Sequence, residues 1–183
     1  MKVEPIKDIE LIRYIKRYLK ESNERDYVMF TTGIYTGLRI SDILRLRVKD
    51  VKDKERIRIK QKKTNQFVDI KLNKELREIY KEYCKDKEPM DYLIANERLK
   101  KVNRPITRDR AYKIMTKLAK EFRLERIGTH TLRKTCGYHM YKNSNKDIGL
   151  VMQVLGQKDE SSTLNYIGLN ELNTSKAFEL LKF

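Results

Sequence analysis

Ile6, Ile9, Ile12, Ile15 and Leu19 recur at helical spacing near the start of the chain, with Lys16, Arg17 and Lys20 among them. That pattern predicts an amphipathic helix with a basic face. Asn23 caps a second helix that runs to about Tyr35 and is ended by Gly37. A third begins near Ile40 and continues through Leu46. The period then changes. Ile57 and Ile59, and later Phe67-Val68-Asp69-Ile70, alternate on either side of a polar stretch over 61–66. Two strands of a β-hairpin with a basic tip follow from that alternation. Helical spacing resumes over 73–84, and Tyr92-Leu93-Ile94 reads as a short strand. Further helices are expected over 107–122 with Thr107 as cap, from a Thr129 cap through His130, Arg133 and Tyr138, over 147–155, over 161–166 and over 171–181. The chain shows no internal repeat, low-complexity tract or linker. It reads as a mainly α fold with a small antiparallel β-hairpin sheet (α+β), in one domain spanning 1–183.

Composition narrows the partners. Apolar residues make up 39% of the 183 residues and charged ones 37%; the apolar ones cluster periodically, as a folded chain requires. The net charge of +16 points to a polyanion. Nucleic acid leads, ribosomal or mRNA contact comes next, and an anionic membrane surface trails. No apolar run approaches the ~20 residues needed to span a bilayer. The first ten residues lack a signal-peptide core, so a cytoplasmic protein without membrane attachment is expected. Cys84 and Cys136 form no CxxC pair, and the two histidines complete no zinc spacing. Both thiols read as reduced and buried, and no metal or cofactor is expected. Residues 98–123 hold ten Lys/Arg against two Asp/Glu, about half the net charge. Arg104, Arg108, Arg110, Lys113 and Lys117 in this window are candidates to face a phosphate backbone. The plainer alternative is a solvated helix face.

Three short segments hold candidate chemistry. In Thr36-Gly37-Leu38-Arg39-Ile40-Ser41-Asp42, a glycine turn delivers Arg39 at a helix start, with Asp42 one turn later to fix the guanidinium. In Gly128-Thr129-His130-Thr131-Leu132-Arg133, the imidazole and the second guanidinium share a helix face. Val154-Leu155-Gly156-Gln157 is followed nine residues after Gln157 by Tyr166, inside a short amphipathic helix. Each segment alone is better read as a surface ion pair, a structural histidine or a core tyrosine.

Taken in order, they resemble the tyrosine recombinases, the family of phage and conjugative-element integrases. The matching residues are Thr36 to Asp42, His130-Thr131-Leu132-Arg133, Leu155-Gly156 and Tyr166, and the likeness extends over about 8–183. The resemblance implies the integrase catalytic-domain fold, with Arg39 and Arg133 as phosphate-binding arginines, His130 as the family histidine and Tyr166 as nucleophile. Asp42 matches the family's acidic position. Lys63, in Lys60-Gln61-Lys62-Lys63, matches the hairpin lysine, with Lys62 the competing assignment. Gln157 departs from a position that usually has His or Trp, and His139 reads as structural.

The resemblance further implies site-specific recombination of double-stranded DNA through a 3′-phosphotyrosine intermediate. It implies a homo-oligomer assembled on DNA, and leaves room for accessory DNA-bending proteins. Family members usually have an N-terminal DNA-clamping domain; the 38 residues before Arg39 leave no room for it, so the chain is expected to be either a fragment or a catalytic domain alone, like the short fimbrial-inversion recombinases. The chemistry is coherent. Two guanidinium forks neutralise the nonbridging oxygens and favour a more highly charged transition state. A phenol with a pKa near ~10 needs a base nearby or a strong positive field; His130 can supply the first and the arginines the second. A lysine on the hairpin protonates the leaving 5′ oxygen. No carboxylate cluster suggests a magnesium pair. Three alternatives remain from the sequence: a catalytically impaired DNA-binding regulator of the same fold, a type IB topoisomerase, and an RNA-binding protein for which no stacking motif is present.

Overall fold

Asp8 opens the first helix. Its carboxylate accepts from the N–H groups of Glu10 (2.8 Å) and Leu11 (3.3 Å), so α1 spans Ile9–Ser22 and Ile6 lies in the extended segment before it. Asn23 caps α2 (Glu24–Thr36) through the N–H of Asp26, and Gly37 ends it in the left-handed conformation, φ 64°. These coordinates come from a computed structural model that describes residues 3–97 and 102–169. The helix expected to reach Leu46 stops early, and α3 is the single turn Ile40–Ile43. A 3₁₀ turn, Val48–Asp50, follows. Strands β1 (Arg56–Lys60) and β2 (Phe67–Lys71) pair antiparallel, with Ile57 opposite Ile70 and Ile59 opposite Val68.

Asn73 caps α4 (Lys74–Tyr83), and Thr107 caps α5 (Arg108–Glu121). Tyr92-Leu93-Ile94 forms no strand. Tyr92 makes an isolated antiparallel bridge to Arg47, and Ala95 one to Pro105, and neither pairing extends beyond a single bridge. The cap of α6 (Thr129–Asn143) is Gly128, one residue earlier than expected. The Thr131 hydroxyl accepts the Gly128 N–H at 3.2 Å, so the threonine serves the helix start from inside it. Then come α7 (Ile148–Leu155), capped by Asp147, and α8 (Glu160–Tyr166), capped by Asp159. The helix expected over 171–181 lies outside the described residues.

Two apolar clusters hold these elements. The larger joins α1 to α5, the hairpin residue Ile57 and Leu132 of α6. Tyr80 of α4 closes one flank of α2 by a 2.9 Å hydrogen bond to the Thr32 hydroxyl. The smaller cluster packs Val151, Leu155 and Ile167 against the outer side of α6 and seats α7 and α8. Cys84 and Cys136 are buried free thiols, and burial pushes Cys136 up to about 12, far from thiolate reactivity at neutral pH.

The contact between α2 and α6 depends on Gly33. A Cβ there would lie 2.7 Å from both Cβ and Cδ1 of Leu132. Leu132 can turn its Cδ1 away but not its Cβ, so the helices must separate. Gly33→Ala is expected to destabilise the fold by about 1–2 kcal/mol, the overpacking strain exceeding the gain of ~1 kcal/mol in helix propensity. Urea unfolding should show a lower midpoint at unchanged slope. A midpoint equal to the parent's would mean the interface has slack.

Candidate active site

The left-handed turn at Gly37 reverses the chain, and buried Leu38 pins it, so Arg39 emerges half-buried as the residue capping α3. Its Nη1 donates to Oε1 of Gln61 at 2.8 Å. The expected pairing with Asp42 does not form. Asp42 is fully buried, and its Oδ1 accepts the backbone N–H of Lys62 at 2.9 Å, with Arg45 Nη1 at 3.9 Å. Its Oδ2 has no partner. Because α3 is one turn long, the carboxylate points under the hairpin, and it holds the hairpin rather than the arginine.

Arg133 is 3% exposed and sits where three helices meet. Its two Nη groups donate to the carbonyls of Gly37 and Leu155. Both carbonyls terminate helices, where backbone oxygens lack partners and the helix dipole is negative. The guanidinium therefore joins the turn before Arg39 to the end of α7. It also lies close enough to Tyr166, the last residue of α8, for each to shift the other's pKa.

Tyr166 is half-buried. Burial raises its phenol above the ordinary value, and Arg133 and Arg39 pull in the opposite direction. Nζ of Lys134, itself buried, lies 5.1 Å from the centre of the Tyr166 ring. Ile167, one residue on, is fully buried in the smaller cluster, and Lys7 Nζ donates to the Gly168 carbonyl at 2.8 Å. The tyrosine is thus anchored from both the core and the N-terminal segment.

His130, second in α6, lies exposed at the rim of this cluster. Partial burial depresses its imidazole pKa, and Arg133, Arg39, Lys134 and Arg108 depress it further. Both effects favour the neutral ring, the form that can accept a proton. Lys62 and Lys63 are exposed on the hairpin turn, which is closed by Gln61 N–H to Gln66 O (2.8 Å) and Asn65 N–H to Gln61 O (3.0 Å). Gln157 follows the left-handed Gly156 at the end of α7, half-buried, its N–H bonded to Met152 O at 2.9 Å. His139 lies elsewhere, its Nε2 3.0 Å from the Ile6 carbonyl.

The basic window divides. Arg104, Arg108, Arg110, Lys113 and Lys117 are all exposed, but they do not share one face. Ala111, Ile114, Met115 and Leu118 define the buried side of α5. At helical spacing Arg108 falls on one flank, Arg110 and Lys117 on the other, and Lys113 opposite the core. Arg108 is close enough to His130 to depress its pKa, while Lys113 is engaged with Asp109 at 3.0 Å. A second basic patch surrounds the hairpin, where Arg45, Lys60, Gln61, Lys62 and Asn65 line a cleft of about 360 Å³.

Sequence reasoning missed Gln61 and Lys134. A glutamine in a polar run and a lysine in a basic chain give no signal, and only the tertiary packing buries them. Among the described residues, no three His, Cys, Asp or Glu side chains are grouped as a metal site would need.

Positive charge gathered around a phenol suits a phosphate-bearing polyanion. The sequence pattern of the phage integrase family matches residues 7–172. The chain belongs to that family, the tyrosine recombinases. It is 42% identical over 178 residues to the probable integrase/recombinase YoeC of Bacillus subtilis, covering 97% of this chain and 96% of that protein. Its fold is that of the XerA recombinase crystal structure (TM-score 0.76, 18% identity, 99% of this chain and 66% of that one). The Tn1549 transposon integrase in complex with circular intermediate DNA shares it too (TM-score 0.69, 14% identity, 96% of this chain and 66% of that one). No helix among the described residues is long and apolar enough to cross a membrane.

Proposed function

We propose that this chain recombines double-stranded DNA at specific sites, cutting and rejoining strands through a covalent bond between Tyr166 and the DNA 3′-phosphate. The observation that supports it best is the placement of Tyr166 against the Arg133 guanidinium, with Arg39 and Lys134 around it. The Tn1549 integrase, of the same fold, has DNA in its complex, and the net charge of +16 suits the same ligand.

In this reading the scissile phosphate docks between Arg39 and Arg133. The Tyr166 oxygen attacks phosphorus, and its proton passes to neutral His130. The bond to the 5′ oxygen breaks, and Lys63 of the hairpin turn supplies the proton that oxygen needs. The phosphotyrosine ester conserves the bond energy of the cut strand, so the 5′ hydroxyl of another strand can displace Tyr166 and reseal the backbone. The guanidiniums stabilise the charge that grows on the phosphoryl oxygens. Gln157 contributes an amide donor for orientation, since it can neither bear charge nor move protons. Two copies or more assemble on the DNA to bring strands together.

A nicked suicide substrate built from the flanks of the gene tests this. The parent chain should form a protein–DNA adduct that survives denaturation, and paired sites should recombine. DNA binding without adduct would favour a regulator of the same fold. Relaxation of supercoils without recombination would favour a topoisomerase.

Lys63→Ala should cleave an ordinary substrate slowly and recover in part on a 5′-phosphorothiolate, whose leaving group needs no proton. Recovery in Lys62→Ala and not in Lys63→Ala would move the acid to Lys62.

A further inference from the structure

The contact that orients Arg39 comes from the hairpin, from a residue the chemistry above does not use. We propose that Gln61 is a positioning residue for strand cleavage, acting through Arg39; this rests on the reading of Tyr166 as nucleophile.

Gln61 is 6% exposed. Its Oε1 accepts from Arg39 Nη1 at 2.8 Å and from the Thr64 hydroxyl at 2.9 Å. An amide oxygen has two lone pairs, and both are used. The backbone of Gln61 closes the turn at both its N–H and its carbonyl, so the side chain is anchored at its root as well as at its tip. Asp42 ties the same turn to α3 through the Lys62 N–H. The arginine and the lysine-bearing turn are thereby cross-linked twice, once by an amide and once by a carboxylate.

The chemical type matters. A carboxylate at the Gln61 position would orient Arg39 but also neutralise it and compete with the phosphate. An amide oxygen fixes the fork while leaving its charge and its other N–H donors for the substrate. A guanidinium held in place before the phosphate arrives needs no reorganisation in the transition state.

The alternative is that Gln61 only shapes the hairpin turn. Gln61→Met separates the two, because it keeps the buried volume and the backbone bonds and removes the acceptor. The parent chain and Tyr166→Phe set the limits of the suicide-substrate assay. Gln61→Met should bind the same DNA as tightly as the parent, melt at the same temperature and cleave about 10- to 100-fold more slowly, the scale expected of a misplaced catalytic group. In an Arg39→Ala background the same change should add no further loss, because its route is already gone. A 5′-phosphorothiolate should not restore the rate.

Cleavage at the parent's rate would overturn the proposal, as would losses that multiply in the double variant. Rescue by the phosphorothiolate would transfer the effect from Arg39 to the lysine. A lowered melting temperature that accounts for the lost rate would reduce Gln61 to a turn residue. A parent chain that forms no adduct would sink the functional reading and this inference with it; an active parent with any of the other outcomes sinks the inference alone.

Discussion

Tyr166→Phe is expected to abolish covalent attachment to DNA and leave binding within a few-fold of the parent. The change removes one oxygen. The ring keeps its place because its support comes from other residues: Ile167 is fully buried, Thr163 is buried on the same helix, and Lys7 holds the Gly168 carbonyl. The hydroxyl lies within the influence of Arg133, and that guanidinium retains its two backbone carbonyls when the oxygen is gone. Stability should therefore change by no more than about 1 kcal/mol, the ordinary net worth of one hydrogen bond. Activity should fall to nothing measurable, since the oxygen that would form the ester is gone. Denaturing electrophoresis of the suicide-substrate reaction gives the result directly. A persistent protease-resistant adduct in Tyr166→Phe would assign the bond to another residue and end the proposed mechanism.

Much of this site was legible along the chain, and the parts that were not share a cause. Asn23, Asn73, Thr107 and Asp147 cap helices where their spacing to the next apolar residues requires it, because capping is a local hydrogen bond. The hairpin is local in the same way, since alternation fixes which faces pair. The grouping of Arg39, His130, Arg133 and Tyr166 was readable from order and motif. What failed depended on contacts between distant segments. Asp42 sits three residues from Arg39, as a pairing partner would, yet it turns toward a hairpin twenty residues ahead. Lys134 is buried against the ring of Tyr166, where a lysine is seldom found. The charge summed over residues 98–123 carries no direction, whereas a helix distributes its side chains around an axis, and α5 separates Arg108 from Lys113 and Lys117. Tyr92-Leu93-Ile94 has strand-forming side chains, and Leu93 and Ile94 are buried in the core, but the pairings on either side stop at a single bridge each.

Arg133 should prove the most costly residue to replace after the nucleophile, for two reasons that can be separated. Arg133→Ala leaves the Gly37 and Leu155 carbonyls without their donor at the meeting of three helices. Each unsatisfied buried acceptor costs on the order of 1–3 kcal/mol, so the fold itself should weaken by several kcal/mol. The same change removes a transition-state clamp, expected to slow cleavage by about 1000-fold or more. Arg39→Ala offers the contrast. Arg39 is half-buried and bonded to a single side chain, so its loss should slow cleavage by a similar factor with little change in stability. Arg133→Lys divides the two effects at one position. An ammonium keeps the charge but is a compact point donor, and it cannot span two carbonyls and a phosphate as a planar fork does. Cleavage by Arg133→Lys, measured where urea titration shows the protein fully folded, should still be at least about 100-fold below the parent, near what one lost oxyanion-type donor costs. If the folded Arg133→Lys chain cleaves at the parent's rate, Arg133 is a strut between helices and the phosphate must be held by Arg39 and Lys134 instead.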